Sequence, residues 1–108
     1  MASSGRRLGV IGAGNIGGAI AANLLADGHA VVVHDADPAC CAALVRAGAV
    51  RADTPAAVAE RSEISFTSLP SPAVMEAVAQ AWLAGARRDA VLVDLSTNAP
   101  ATIRSVGA

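Results

Sequence analysis

Three glycines, Gly12, Gly14 and Gly17, stand at the spacing G-x-G-x-x-G within LGVIGAGNIGGAI, and Asp35 follows 18 residues after the last of them. Residues of these types at these positions suit the binding of a diphosphate. Gly12 permits a tight turn off a strand. Gly14, lacking a Cβ, lets a pyrophosphate approach the backbone, and Gly17 lets a helix pack close to the sheet. The N–H groups around Asn15 and Ile16 would point at the phosphates, helped by the positive end of the helix. The carboxylate of Asp35 can accept hydrogen bonds from both hydroxyls of an adenosine ribose, and it would repel a 2′-phosphate. The next residue, Ala36, brings no arginine to such a phosphate. NAD is therefore expected over NADP. Asp37 is the rival acid, but its place before Pro38 suits a helix cap. Asp35 can also be read as a solvated turn residue.

The glycine pattern gains meaning only if a strand precedes it, a helix follows, and a second strand ends in the acid. Arg7 to Ile11 is apolar and short, as a strand. Asn15 to Asp27 reads as a helix in which Ile16, Ile20 and Leu24 form one apolar face, with Gly28 as its stop. The valines of Ala30 to His34 predict a strand buried on both faces, as parallel sheets require. A helix opens at Asp37-Pro38 and closes at Gly48. Ala49 to Arg51 is a short third strand, and Thr54-Pro55 opens a helix to about Glu60. Glu63 to Leu69 is the fourth strand. Ser71-Pro72 opens a helix with Val74, Val78 and Trp82 on one face. Ala90 to Leu95 is the fifth strand, and Pro100 is expected to open a last helix. Alternation of this kind predicts an α/β fold, a Rossmann-type three-layer sandwich over residues 1–108 with a parallel sheet in the order 3-2-1-4-5.

Composition narrows the functions available. The chain has 108 residues, enough for one domain but short for a nucleotide-binding enzyme that also needs a substrate pocket. Its eight basic residues are all arginine and scattered, the net charge is −1, and the only aromatics are Phe66 and Trp82. No basic stripe or stacking platform for nucleic acid results. No window is long and apolar enough for a membrane span, and MASSGRR lacks the pattern of a signal peptide, so a cytoplasmic protein is expected. Adjacent Cys40 and Cys41 read as small, unbridged residues. His29 and His34 have no metal-spaced partners, and no metal site is expected.

Taken together, GVIGAGNIGGAIAANLLADGHAVVVHD, SLPSP and VDLSTNAP resemble the β-hydroxyacid dehydrogenases, the group that contains 3-hydroxyisobutyrate dehydrogenase. The resemblance runs from about Leu8 to the end. It implies that Leu69 and Pro70 line the adenine or ribose side of a cofactor site, and that Ser96 and Thr97 lie toward the nicotinamide. Ser96 and Thr97 can equally cap a helix ahead of Pro100. Members of the family continue into a sixth strand, a glycine-rich substrate loop and an all-helical domain with a catalytic lysine. This sequence contains no lysine and no replacement that we can name, so no catalytic residue is assigned. The expectation is the cofactor half of an oxidoreductase that moves hydride between nicotinamide and a small 3-hydroxy acid. Such a half would bind cofactor without turning substrate over, and its fifth strand would show an open edge prone to self-association. Two other functions remain: half of an imine reductase-like enzyme using NADP, and a stand-alone NAD-binding module. Flavoproteins compete for the glycine loop but lack the Leu-Pro and Ser-Thr segments.

Overall fold

A computed structural model describes residues 6–95 and 101–104. Strand β1 (Arg7–Ile11) leads into α1 (Asn15–Ala26) and β2 (Ala30–His34). A 3-10 turn at Pro38–Cys41 continues into α2 (Ala42–Arg46), followed by β3 (Val50–Arg51), α3 (Pro55–Arg61) and β4 (Ile64–Thr67). Helix α4 (Pro72–Gly85), β5 (Val91–Asp94) and β6 (Ala101–Arg104) complete the described chain. The sheet order is β3-β2-β1-β4-β5-β6. The first five strands are parallel, in the expected order 3-2-1-4-5.

Successive residues of the central strands feed opposite sides of the sheet, as the pleat requires. Val10, Val31 and Val33 pack with Ala21, Cys41 and Leu44 beneath α1 and α2. Ile11, Val32 and Leu92 pack with Val58, Met75, Ala79 and Trp82 beneath α3 and α4. The result is three layers. Polar side chains inside the α3/α4 layer are bonded to one another. The indole N–H of Trp82 donates to Ser65 Oγ at 3.0 Å, and Ser65 Oγ lies 2.9 Å from Ser62 Oγ. Ser62 in turn donates to the Val58 carbonyl at 2.6 Å.

Helix starts follow the sequence signals. Asp37, Thr54 and Ser71 each stand before a proline, and each side chain accepts a first-turn amide, from Ala39, Ala57 and Val74 respectively. Such caps satisfy donors that a helix cannot satisfy itself.

Three expectations are corrected. Pro100 does not open a helix over the residues described: Ala101–Arg104 is a strand, antiparallel to β5 with Asp94 opposite Ala101. The unpaired backbone of β5 offers a ladder to any extended segment, and β-branched Thr102 and Ile103 suit one. The expected open edge of β5 is thus covered, and self-association through it loses its basis. Second, Ile16 is not on the buried face of α1 but 60% exposed, because Gly17 and Ala21 are the residues turned to the sheet. Third, the buried stripe of α4 is Met75, Ala79 and Trp82, at spacings of four and three. Val74 is 39% exposed and Val78 half-buried, one position round the helix from that stripe.

Replacing Trp82 by Phe removes the indole donor to Ser65 and part of a fully buried ring. We expect a loss of about 1–3 kcal/mol in denaturant unfolding followed by circular dichroism. A loss within error would show that the buried serine-tryptophan network contributes nothing.

Candidate functional site

The site lies at the carboxyl ends of β1, β2 and β4, where strand order reverses. Backbone bonds fix the turn after β1 from both sides. The Gly12 N–H donates to the His34 carbonyl at 2.8 Å, and the Ser68 N–H donates to the Ile11 carbonyl at 3.1 Å. Gly12 has φ +92°, and a Cβ there would run into the Ser68 carbonyl oxygen. Only glycine meets both conditions. Gly17 faces the same crowding one helical turn on, since its Cβ would run into the Gly12 carbonyl oxygen. These two glycines thus serve the close packing of loop, strand and helix.

Gly14 is different. A Cβ on Gly14 would meet nothing within 4 Å. Gly14 is also the N-cap of α1, and α1 has neither a capping side chain nor an acid in its first turn. Each of the other three chain segments that turn into a helix after a strand has a side-chain cap. The first-turn amides of α1 at Asn15 and Ile16 are consequently left to whatever occupies the space in front of them.

That space is a cleft of about 600 Å³. Gly12, Gly14, Asn15 and Ile16 line one side, Asp35 and Ala36 the end of β2, and Leu69 and Pro70 the turn after β4. The structure therefore brings together seven of the ten residues singled out from the sequence. Gly17 lies beneath the cleft rather than on it. Ser96 and Thr97 fall outside the described residues. The cleft also includes His34, Ser68, Val74 and Val78, which sequence reasoning did not assign to it. His34 and Ser68 were legible in principle, being at or just past the carboxyl ends of strands. Val74 and Val78 were masked by their apparent place in a core-facing stripe.

Asp35 holds the cleft together. Its Oδ2 accepts the Ala13 N–H at 2.8 Å, and its Oδ1 accepts the Asp37 N–H at 2.8 Å. The carboxylate thereby ties the glycine turn to the segment after β2, and Asp37 passes the connection on by accepting the Ala39 N–H. Asp35 is accordingly more than a solvated turn acid. Deeper, Asp94 is 3% exposed at the end of β5, and Thr67 opposite it donates to its Oδ1 at 3.1 Å.

Neither cysteine is poised as a nucleophile. Desolvation pushes both thiols up, and the nearby carboxylate of Asp35 pushes in the same direction. Raised values leave less thiolate at neutral pH.

A parallel sheet in this order, with a glycine turn and an uncapped helix at its reversal point, defines a Rossmann-type dinucleotide-binding domain. Residues 7–108 match the NAD binding domain of 6-phosphogluconate dehydrogenase, and the chain belongs to that family. The expected kinship with 3-hydroxyisobutyrate dehydrogenases holds. The chain is 38% identical over 99 residues to 3-hydroxyisobutyrate dehydrogenase of Pseudomonas aeruginosa, covering 89% of this chain and 33% of that protein. Among solved structures, an imine reductase variant from Myxococcus stipitatus in complex with NAD+ superposes with a TM-score of 0.80 at 27% identity. It covers 87% of this chain, which spans 33% of it. The imine reductase from the same organism in complex with NADP+ gives a TM-score of 0.76 at 27% identity, over 82% of this chain and 31% of that one. The chain thus spans about a third of the length of the curated relatives it matches.

Two outcomes follow. Asp35→Ala removes the acceptor of the Ala13 and Asp37 amides and should cost about 2 kcal/mol in denaturant unfolding. Asp35→Asn, whose amide oxygen can keep one of these bonds, should cost less; equal costs would refute the bridging role. The thiols of the folded protein should be alkylated more slowly at pH 8 than those of the denatured chain, Cys41 slowest because it is buried. Fast labelling of the folded protein at neutral pH would contradict the raised thiols.

Proposed function

We propose that this chain is the cofactor-binding half of an oxidoreductase of the 3-hydroxyisobutyrate dehydrogenase kind, acting on a small 3-hydroxy acid and using NAD. The supporting observation is the pairing of open space at Gly14 with an uncapped α1. Neutral donors at the positive end of a helix suit a diphosphate, and a cleft of this size accommodates a dinucleotide's adenosine end. In this reading the amides of Asn15 and Ile16 hold the pyrophosphate, with Gly12 and Gly17 fixing the turn that aims them. Asp35 takes the adenine ribose on lone pairs not used by Ala13 and Asp37. Leu69 and Pro70 cover the base, and Ser96 and Thr97 serve the nicotinamide end.

The bound nicotinamide supplies hydride transfer, and the protein supplies orientation. The chain's own part is to fix the dinucleotide. We assign the proton donor for the substrate oxygen to none of the described residues, and we expect no turnover from this chain alone. Preference for NAD rests on the fixed negative charge of Asp35 and on the absence of a cation at Ala36. Relatives of the same family bind NAD+ or NADP+. Imine reduction is the second reading, favoured by these structural neighbours. A cytoplasmic setting is part of this reading.

Calorimetric titration tests the proposal. NADH should bind more tightly than NADPH, and Gly14→Val should weaken NADH by roughly 30-fold, equivalent to about 2 kcal/mol. Because the Cβ of the variant enters open space, its stability should stay within about 1 kcal/mol of wild type. A stable Gly14→Val that binds NADH normally, or a wild type that ignores NADH, would overturn the proposal.

A further inference from the structure

His34 ends β2, half-buried, and lines the cleft. Its Nδ1 lies 3.0 Å from the Ala52 carbonyl oxygen. A carbonyl can only accept, so Nδ1 carries the proton in this contact. In the neutral ring Nε2 is then a bare acceptor, and it has no partner among the described residues. Nor is it sealed off, since no buried side-chain nitrogen or oxygen among these residues lacks a bond.

Alternation along β2 puts His34 on the same side of the sheet as Val32, which belongs to the α3/α4 layer. On that side the cleft is walled by Leu69, Val74 and Val78, all apolar. Val74 is 39% exposed. A flat aromatic base fits between apolar walls, and a base held there presents its polar edge to the one polar ring at the end of the slot. Asp35, next along the chain, serves the ribose in the reading above, which leaves His34 for the base.

We propose that His34 reads the base of the dinucleotide, its Nε2 accepting a hydrogen bond from the exocyclic amine of adenine. This rests on the dinucleotide reading. The bond to Ala52 gives His34 its selectivity, because it fixes which nitrogen bears the lone pair. A base with a carbonyl at the same position, such as hypoxanthine, sets a second acceptor against Nε2 and loses the bond.

The test compares NADH with its deaminated form, nicotinamide hypoxanthine dinucleotide in the reduced state, on the 108-residue chain by calorimetry. The deaminated form should bind roughly tenfold more weakly, the factor expected for about 1.4 kcal/mol. In His34→Phe, which keeps a flat ring without either nitrogen, that gap should close while NADH still binds. Nitrogen-15 spectra of histidine-labelled wild type give a readout that needs no variant. NADH should move the Nε2 resonance toward that of a hydrogen-bonded acceptor, and the deaminated form should not. Equal binding of the two by wild type, as would follow if Nε2 served a ribose hydroxyl, overturns the proposal. So does a gap that persists in His34→Phe, or an Nε2 resonance blind to NADH. Failure of both dinucleotides to bind would remove the dinucleotide reading and this one together.

Discussion

The first turn of α1 carries backbone N–H groups that no side chain of its own segment accepts. A helix start leaves such donors orphaned, and a protein normally meets them with a cap. This chain does so with Asp37, Thr54 and Ser71. Where β1 turns into α1 it instead has Gly14, a residue with no side chain to offer. The contrast lies within one molecule, so it does not depend on a general rate of capping. Water alone can satisfy exposed amides, but an anion gains from the helix dipole as well, by about 0.3–1 kcal/mol at a surface. The rest of the site is arranged around this vacancy in the capping scheme.

The arrangement has to keep a glycine-rich turn in one shape, although glycine loses more conformational freedom on folding than any other residue. Here the turn is held at several points. Gly12 is bonded to His34, its neighbour Ala13 to Asp35, and Gly17 abuts the Gly12 carbonyl. The end of β2 therefore clamps the turn with both its backbone and a side chain. On the proposed reading Asp35 links shape and selectivity in one group. If Asp35 also faces a ribose, as proposed, most replacements there would change selectivity and release the Ala13 amide together.

Much of this was legible in the residue order because the signals were local. Proline after Asp, Thr or Ser marked three helix starts, and runs of valine marked a strand buried on both faces. The sheet order followed from alternation and handedness together with the glycine motif of the dinucleotide-binding fold. What escaped were matters of rotation and pairing. Helical spacing places Ile16 on the same stripe as Ile20, yet the glycine at 17 lets the helix lie so close that the stripe turns, leaving Ile16 exposed at the cleft. Val74 and Val78 are apolar for the same period as a core face, and spacing cannot say whether the neighbour they await is protein or ligand. The strand at Ala101–Arg104 escaped because its partner, the edge of β5, is a tertiary fact, and a Pro followed by small residues looks like a helix start.

The apolar character of the cleft then separates two roles that composition alone merges. Ile16 and Val74 lie exposed rather than in the core they were expected to fill, Val78 only partly packs against it, and exposed aliphatic side chains tend to lower solubility. Their cost is offset if a base or ring covers them. Polar groups meanwhile stand at defined points around these walls: the α1 amides, the Asp35 carboxylate and the His34 ring. Apolar walls with few polar groups are the usual composition of a small-ligand site, in which the walls supply contact area and the polar groups orientation. If the cleft takes a dinucleotide as proposed, affinity should reside chiefly in the diphosphate and the covered base. Choice between related dinucleotides should fall to two adjacent residues at the end of one strand, His34 and Asp35, each of which also holds a backbone group in place.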